Sequence, residues 1–458
     1  MSIKESFRKY LEEAIGGEKA LVAFSAFEEP AKVSVRLNPF KDGKDFEGVE
    51  VTWNRYGRLL QERPKFTLDP ALHGGAYYVQ DSSSMFVGHV FRNVIAQADL
   101  SDRQMVRVLD LCAAPGGKTT DLAASLREAF GDRFILVSNE VMKQRAGILA
   151  ENVALWGDPN VVVTSDDPKA FSSLPGFFDI VVTDVPCSGE GMFRKDEEAQ
   201  RQWSEDNVAL CQARQKRIVA DMWPCLKSGG VLIYSTCTFN RYENDDNVGW
   251  IAEELGAEVL APVEDNMPGV IRTGLGYSLV PGHVEGEGQY CAALGKTSDD
   301  LAGGYAPARQ KRDKPAKKGT QAIPDHLKSL FTLDVTLRQR GETVIAVPSH
   351  LVSELAVLES SLHVLSAGCA VGVMKGSTLV PDADLALSIA YDQSSYPVAD
   401  VDLQKALAFL HKDAILLHES DKGYVLIRYE GVPLGFVKNL GNRCNNLHPQ
   451  GRRIRMDI

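Results

Sequence analysis

The stretch VRVLDLCAAPGGKTTDLAASLREAF, residues 106–130, is the clearest indication of fold in this chain. It begins with a short apolar run that ends at Asp110, continues through a glycine-rich turn and closes with the apolar spacing of an amphipathic helix. A glycine turn between a strand and a helix lets a ligand approach the backbone and directs helix N-terminal amides at it. The stretch therefore predicts the first strand, turn and helix of an α/β domain, with a ligand at the turn.

Four more apolar runs follow, and helical patterns such as MKQRAGILAENVALWG lie between them. The runs are FILVSNE (134–140), NVVVTS (160–165), FDIVVTDVP (178–186) and VLIYSTC (231–237). Strands that alternate with helices predict a mostly parallel, doubly wound sheet, and such sheets bind ligands beyond the carboxyl ends of their strands. We expect this domain to occupy residues 76–297 and its functional groups to lie at those strand ends.

With 458 residues the chain is too long for one ordinary core. The segment GGYAPARQKRDKPAKKG, residues 303–319, holds six Lys and Arg against one Asp, and its Pro and Gly oppose regular structure. It indicates a basic linker that is either simply solvated or in contact with phosphates. The predicted segments are an N-terminal α+β region (1–75), the sheet domain (76–297), the linker (298–324) and a smaller C-terminal α+β unit (325–458).

Composition and charge narrow the location and the partners that we expect for this protein. There is no apolar run of transmembrane length and no signal-peptide pattern, so we expect a cytoplasmic monomer without a membrane partner. The net charge of −11 argues mildly against a protein coated with nucleic acid, although a local basic segment binds phosphates whatever the total. The eight cysteines form no CxxC pair, so neither disulfides nor a metal site is expected.

The residues of the first turn and of the following strand ends narrow the choice of ligand at this turn. A phosphate-binding P-loop needs glycine six positions before the lysine, and Cys112 stands there. Glu140 ends the second strand and the pair Asp166 and Asp167 follows the third, where carboxylates accept hydrogen bonds from ribose hydroxyls and an adenine amino group. Each carboxylate alone also fits a helix N-cap. Together they predict a nucleoside cofactor without polyphosphate, a description that S-adenosylmethionine fits.

Two thiols and a carboxylate follow the next two strands. Asp184 and Cys187 leave the fourth strand, and Cys237 leaves the fifth. Most free cysteines are buried, inert packing groups. These two instead precede polar or glycine-rich loops at the ligand-binding edge, so we predict that they take part in nucleophilic chemistry.

Three motifs carry a specific resemblance. DLCAAPGGKTT, DVPCSGEGMFRKD and YSTCTFNRYEND resemble, in order, the signature motifs of the Nop/Sun family of RNA (cytosine-5) methyltransferases. The extended CSGEGMFRKD and the terminal PLGFVKNLGNRCNNLHPQGRRIR resemble most closely the bacterial RsmF-like branch, whose members modify small-subunit ribosomal RNA. The likeness covers essentially the whole chain, including SVRLNPFK near the N-terminus. Val185 departs from the commoner alanine, and residues 320–400 carry no matching motif.

The resemblance implies a Rossmann-like S-adenosylmethionine methyltransferase domain between an N-terminal RNA-binding region and a PUA-like C-terminal region. It implies methyl transfer to carbon 5 of a cytosine in small-subunit ribosomal RNA or the 30S particle. The alternatives are the same chemistry on tRNA and a non-catalytic RNA-binding assembly factor. Cys237 would add to carbon 6, Asp184 would hold the base and Cys187 would assist release. The implied cofactor residues are Cys112, Ala113, Ala114, Pro115, Gly116, Gly117, Lys118, Glu140, Asp167 and Asp184.

Other enzyme classes fit less well. A DNA cytosine methyltransferase would use the thiol after the proline, Cys187, which leaves Cys237 without a role, so DNA is not the expected partner. A small-molecule methyltransferase would need neither the linker nor the basic C-terminal end. Because a base within a duplex could not reach the cleft, the target must be flipped out or single-stranded. Phe193, Arg194 and Lys195 are candidates to hold it, unless their loop simply packs on the domain.

Overall fold

The computed structural model describes residues 4–43, 45–98, 100, 102–264, 267–298, 323–417 and 420–458. The predicted basic linker, 298–324, lies almost entirely outside the described residues. In the part of the chain that the structure describes, no helix is both long enough and apolar enough to cross a bilayer.

The N-terminal region joins two helices to an antiparallel sheet. Its elements are α1 (Glu5–Ile15), α2 (Gly17–Ala26), β1 (Val33–Leu37), β2 (Val49–Val51), β3 (Asn54–Leu60), α3 (Pro70–His73) and β4 (Tyr77–Val79). The strand order is β2-β3-β1-β4. Because β4 pairs with β1, this sheet extends past the division expected at residues 75 and 76.

The middle of the chain alternates strands and helices. Its strands are β5 (Val106–Asp110), β6 (Phe134–Asn139), β7 (Val161–Thr164), β8 (Phe178–Asp184), β9 (Leu226–Thr236), β10 (Ala257–Leu260), β11 (Ile271–Arg272), β12 (Tyr277–Leu279) and β13 (Gln289–Lys296). Its helices are α4 (Phe86–Gln97), α5 (Gly117–Phe130), α6 (Lys143–Trp156), α7 (Glu197–Gln202), α8 (Glu205–Met222) and α9 (Asp245–Leu255).

The C-terminal region contains the remaining elements. They are β14 (Val335–Arg340), β15 (Thr343–Pro348), α10 (Val352–Ser361), β16 (Val364–Ala367), β17 (Cys369–Lys375), β18 (Thr378–Pro381), α11 (Ala383–Leu387), β19 (Val398–Asp400), α12 (Leu403–His411), β20 (Gly423–Tyr429), β21 (Val432–Asn439) and β22 (Cys444–Asn446).

The predicted parallel sheet is confirmed, and it forms the centre of the molecule. In the order β11-β12-β13-β9-β8-β5-β6-β7-β16, the five strands from β9 to β7 run parallel. Helices cover both faces, so these strands are buried on both sides, which explains why they read as continuous apolar runs. The antiparallel strands β13 and β16 flank the parallel set.

The C-terminal region is built into this core more deeply than one separate unit would be. It forms two sheets, β14-β15-β17-β18 and β19-β20-β21-β22, while β16 joins the central sheet. Leu351, Leu355 and Leu358 pack in the same apolar cluster as Ile135 and Val162 of the central sheet. The last sheet packs against the N-terminal sheet in another cluster, so the two ends of the chain meet.

Candidate active site

The glycine turn after β5 has a backbone that only glycine accommodates easily. Gly116 has a φ of +113°, in the left-handed region. A Cβ atom at Gly117 would lie 3.1 Å from the ring of Tyr78, so a larger residue would force this aromatic ring away. The turn then delivers the chain into α5, whose first residue is Gly117.

Helix α6 holds the outer side of the turn. Arg145 donates from Nη2 to the carbonyl of Ala114 at 2.8 Å, and Asn152 donates from Nδ2 to the carbonyl of Pro115 at 2.8 Å. These bonds fix the turn from the side chains of a neighbouring helix, so its backbone amides have a defined direction.

Arg36, in β1, braces the start of α5 from the N-terminal region, and sequence reasoning missed it. Its fully buried guanidinium donates to the carbonyl of Gly117 at 3.1 Å, to the hydroxyl of Thr120 and to Oε1 of Gln80 at 2.8 Å. The only signal in the sequence is its position in SVRLNPFK, which resemblance alone singled out.

Asp110 and Cys112 present polar groups at the inner side of the turn. Oδ2 of Asp110 accepts from the hydroxyl of Thr119 at 2.7 Å, whereas Oδ1 is buried without a hydrogen-bond partner among the described residues. Burial raises the pKa of Asp110 to about 7 and that of Cys112 to about 12. The unpaired oxygen suits a site that receives a polar ligand.

Glu140 lies at the end of β6, where a ribose-binding carboxylate was predicted. Its side chain is buried, Oε1 accepts from the amide of Met142 at 2.9 Å, and Oε2 lies 3.3 Å from Nη1 of Arg145. The carboxylate is thus oriented by two partners before any ligand binds.

The pair after β7 has local partners of its own. Oδ1 of the exposed Asp167 accepts from the amide of Lys169 at 3.0 Å, which is the N-cap contact that the sequence left open. Oδ2 of Asp166 accepts from the amide of His363 at 2.8 Å, so the C-terminal region borders this end of the sheet. The predicted adenine contact by Asp167 stays a prediction.

Asp184 and Lys118 form an ion pair at the centre of the strand ends. Nζ of Lys118 lies 2.8 Å from Oδ2 of Asp184, and Oδ1 accepts from Ser235 and Gln289, both at 2.9 Å. Burial opposes the charge of each partner, but their attraction outweighs it, lowering the pKa of Asp184 and raising that of Lys118. Both groups are therefore charged at neutral pH.

The two predicted thiols meet over the same edge. The Sγ atoms of Cys187 and Cys237 lie 3.1 Å apart, both residues are half-buried, and both thiols are free. The hydrogen bond with Cys237, together with burial, raises the pKa of Cys187 well above its usual value. Strands β8 and β9 are adjacent and parallel, which is why two cysteines 50 residues apart come together.

Of the three side chains proposed to hold a base, two are packing groups. Phe193 is buried in an aromatic cluster, and Arg194 forms a buried ion pair with Glu287 at 2.8 Å. Their loop is held by apolar packing and by this ion pair, so neither side chain is exposed to contact RNA. Lys195 differs, because 36% of its side chain is exposed, 3.6 Å from Asp81. Only Lys195 keeps the predicted possibility of contacting RNA.

A buried polar network under the thiols was also missed. Its central carboxylates, Glu190 and Glu243, belong to the two loops that carry Cys187 and Cys237. Burial, followed by the charge of Glu190, raises the pKa of Glu243 to about 7. Polar residues in loops give no sequence signal of burial, so only the structure reveals them. Among the described residues no cluster of three His, Cys, Asp or Glu side chains could hold a metal ion.

The arrangement unites a glycine-rich turn, a charged pair and two thiols at one sheet edge. Comparison with known proteins assigns it to a family. Residues 98–295 match the model of the 16S rRNA methyltransferase RsmB/F family, residues 3–82 match the N-terminal domain of 16S rRNA methyltransferase RsmF, and residues 396–454 match the methyltransferase RsmF PUA domain.

Comparison with whole curated proteins also finds RsmF relatives. The chain is 27% identical to the ribosomal RNA small subunit methyltransferase F of Enterobacter sp. (strain 638) and 28% identical to that of Salmonella agona (strain SL483), over 97% of this chain and 95% of each relative.

Solved structures support the fold. NSun6 from Pyrococcus horikoshii superimposes with a TM-score of 0.53 at 18% identity, over 65% of this chain and 99% of that one. A methyltransferase homologue from the same organism gives 0.51 at 24% identity, over 64% and 100%. Since the three family models follow one another along the chain and together span most of it, the chain belongs to the 16S rRNA methyltransferase RsmB/F family, with the N-terminal and PUA domains of its RsmF members.

Proposed function

We propose that this protein transfers a methyl group from S-adenosylmethionine to carbon 5 of a cytosine in small-subunit ribosomal RNA, through a covalent adduct with Cys237. The observation that carries the proposal is the 3.1 Å separation of two free thiols beside the Lys118–Asp184 ion pair. Neither simple RNA binding nor methyl transfer to a more nucleophilic atom needs this arrangement, whereas cytosine carbon 5 requires prior attack on the ring.

The residues at the strand ends fit the cofactor. The turn from Cys112 to Lys118 offers backbone amides, Asp110 has a buried oxygen without a partner among the described residues, and Glu140 is positioned for ribose hydroxyls. Asp167, with Asp166 beside it, would lie toward the adenine, and Asp184 would border both the cofactor and the base. When bound, S-adenosylmethionine supplies an electrophilic methyl group.

The first step assigned to this chain is attack by the Cys237 thiolate on carbon 6. A bond forms between Sγ and carbon 6, the carbon 5–carbon 6 double bond opens, and its electron pair makes carbon 5 nucleophilic. Asp184, held by Lys118, Ser235 and Gln289, would accept a hydrogen bond from the exocyclic amino group at the nitrogen 3 edge and thereby fix the orientation of the base. Carbon 5 then takes the methyl group.

Release reverses the addition. In one concerted elimination, the proton on carbon 5 leaves to a base, its electron pair restores the double bond, and the bond between carbon 6 and Sγ of Cys237 breaks as that sulfur takes up a proton. Cys187 lies within hydrogen-bond distance of that sulfur, so it would give its proton to the departing thiolate. The resulting Cys187 thiolate would accept the carbon 5 proton, which leaves both thiols neutral and methylated cytosine as product.

The RNA would extend from this edge over both terminal regions. The N-terminal and last sheets share an apolar cluster, so the two ends of the chain would present one continuous RNA-binding face. Lys195 is a partly exposed cation in the motif that contains Cys187, and we assign it to the phosphate or base nearest the target. The basic linker would add phosphate contacts.

Methylation by the purified protein tests the proposal. We expect incorporation of labelled methyl groups from S-adenosylmethionine into small-subunit ribosomal RNA or 30S particles, at one cytosine that bisulfite sequencing identifies. Incubations with tRNA and with DNA are the matched comparisons. Transfer to tRNA alone would reassign the substrate, and binding of ribosomal RNA without transfer would favour an assembly factor.

A further inference from the structure

Two buried carboxylates stand behind the thiols, and the reaction proposed above uses neither. Glu190 follows Cys187 in the loop after β8, and Glu243 follows Cys237 in the loop after β9. Their exposed fractions are 1% and 0%. Within the described residues, no Lys, Arg or His lies within ion-pair distance of either carboxylate. Charged groups this deeply buried are costly unless several donors satisfy them.

Glu190 reaches across to the loop that carries Cys237. Oε2 accepts from the backbone amides of Phe239 at 2.6 Å and Asn240 at 3.1 Å, two and three residues after the thiol. In the same loop pair, the amide of Gly191 donates to the carbonyl of Cys237 at 2.8 Å. The segment around Glu190 thus fixes the backbone on the C-terminal side of Cys237.

Glu243 reaches in the opposite direction, to the loop that carries Cys187. Oε2 accepts from the amide of Ser188 at 3.0 Å and from Nε2 of Gln215 at 2.7 Å. The same Gln215 nitrogen donates to the carbonyl of Pro186 at 3.0 Å. Glu243 therefore holds the residue after Cys187 directly and the residue before it through Gln215.

The two carboxylates are also linked to each other. Nδ2 of Asn240 donates to Oε1 of Glu190 and to Oε1 of Glu243, both at 2.9 Å. Both oxygens of each carboxylate accept N–H groups here. A glutamine side chain in the same place could accept with one oxygen only, because its other end is an NH2 donor. Each carboxylate thus belongs to one thiol loop and holds the other.

We propose that Glu190 and Glu243 are positioning residues with crossed tasks, Glu190 fixing Cys237 for attack on the cytosine and Glu243 fixing Cys187 for release of the product. The inference rests on the proposed covalent function. The ionised form of Glu243 supports the assignment, because after the hydrogen bond with Cys237 and burial its charge further raises the pKa of Cys187 and so favours the neutral thiol that donates a proton. A displacement of about 1 Å at such a loop is enough to slow a step on the order of 100-fold.

The test measures adduct formation and adduct decay separately. Wild-type protein and the variants Glu190→Gln and Glu243→Gln react with substrate RNA and S-adenosylmethionine, and samples taken over time are run on a denaturing gel. We expect Glu190→Gln to slow formation, and Glu243→Gln to slow decay so that adduct accumulates, each by about 10- to 100-fold. The exposed Glu253 of α9 provides the control Glu253→Gln, which should leave both rates unchanged.

A second variant keeps the assignment of Glu243 testable if Glu243→Gln does not fold. Gln215→Met removes the amide that joins Glu243 to Pro186 and keeps both carboxylates, so it should slow decay in the same direction but less. Thermal unfolding and cofactor binding verify the fold of each variant. Equal slowing of both steps in folded Glu190→Gln and Glu243→Gln proteins would overturn the crossed assignment.

The proposed function fails in a different way. If wild-type protein methylates RNA while neither it nor a Cys187→Ala variant ever forms adduct, the covalent mechanism is wrong and the crossed assignment falls with it. If Cys187→Ala accumulates adduct and folded Glu243→Gln does not, only the assignment of Glu243 is wrong.

Discussion

The loop after β8 and the loop after β9 leave neighbouring parallel strands, yet their thiols have different electrostatic surroundings. Burial opposes the charge of Lys118, but Asp184, with a smaller contribution from Cys237, raises the pKa of this lysine, so Cys237 lies close to a buried ammonium. Cys187 is influenced instead by the carboxylates of Glu243 and Asp184, which add to the effects of its hydrogen bond and burial. Carboxylates close to a thiol favour its neutral form.

Position at the edge of the sheet therefore does not decide the role of a thiol. Both sulfurs lie at the carboxyl end of a strand and within 3.1 Å of each other. Their surroundings differ because of other groups: Lys118 is supplied by α5, after the glycine turn, while Glu243 lies in the buried network formed by the two thiol loops. The comparison predicts that the two thiols fail at different steps when replaced.

Replacing Cys237 should have the largest effect. Cys237→Ala removes the nucleophile, so methyl transfer should fall on the order of 10³-fold or more, and no protein–RNA adduct should survive a denaturing gel. Cys211→Ala, which truncates a buried thiol of α8, is the matched control and should retain transfer. Adduct in the Cys237→Ala protein would assign the nucleophile to Cys187 and reverse the comparison.

Replacing Cys187 should block turnover at a later step. Cys187→Ala can still attack and methylate but lacks the proton donor for release, so adduct should accumulate while turnover falls about 100-fold. The measurement is the fraction of protein shifted on a denaturing gel after incubation with RNA and S-adenosylmethionine. The double variant with Cys237→Ala should show no shift, and a shift in it would exclude Cys237 as the attacking group.

Much of this edge was predictable, because the apolar runs in the sequence show where each strand ends. The apolar runs predicted β5 to β9 correctly, and the residues after them, including Asp184, Cys187 and Cys237, could be predicted to share one edge. Parallel strands in a doubly wound sheet impose that geometry whatever their loops contain. The N-cap alternative for Asp167 could also be read from the sequence, since Pro168 follows it.

The rest depends on contacts between distant segments, which carry no periodic signal. Arg36, Glu190 and Glu243 are charged residues whose burial follows from tertiary packing alone. The C-terminal region shows the same limit, because nothing in Leu351, Leu355 or Leu358 indicates that they complete the core of the central sheet. A chain ending at residue 297, where the predicted sheet domain ends, would uncover that core, so it is a poor probe of RNA binding.

Replacing Lys118 should sharpen the comparison with a smaller effect that depends on pH. In Lys118→Met, burial of Asp184 acts without the opposing ammonium, so the pKa of Asp184 rises from its lowered value. The acid limb of the rate profile should therefore move to higher pH, with a loss of about 10- to 100-fold near pH 7 that shrinks as pH rises. Lys118→Arg keeps the positive charge, so the acid limb of its rate profile should lie at the same pH as in the wild-type protein. Initial rates at saturating cofactor measure the shift, and a uniform loss at every pH would show that Lys118 acts on geometry and not through its charge.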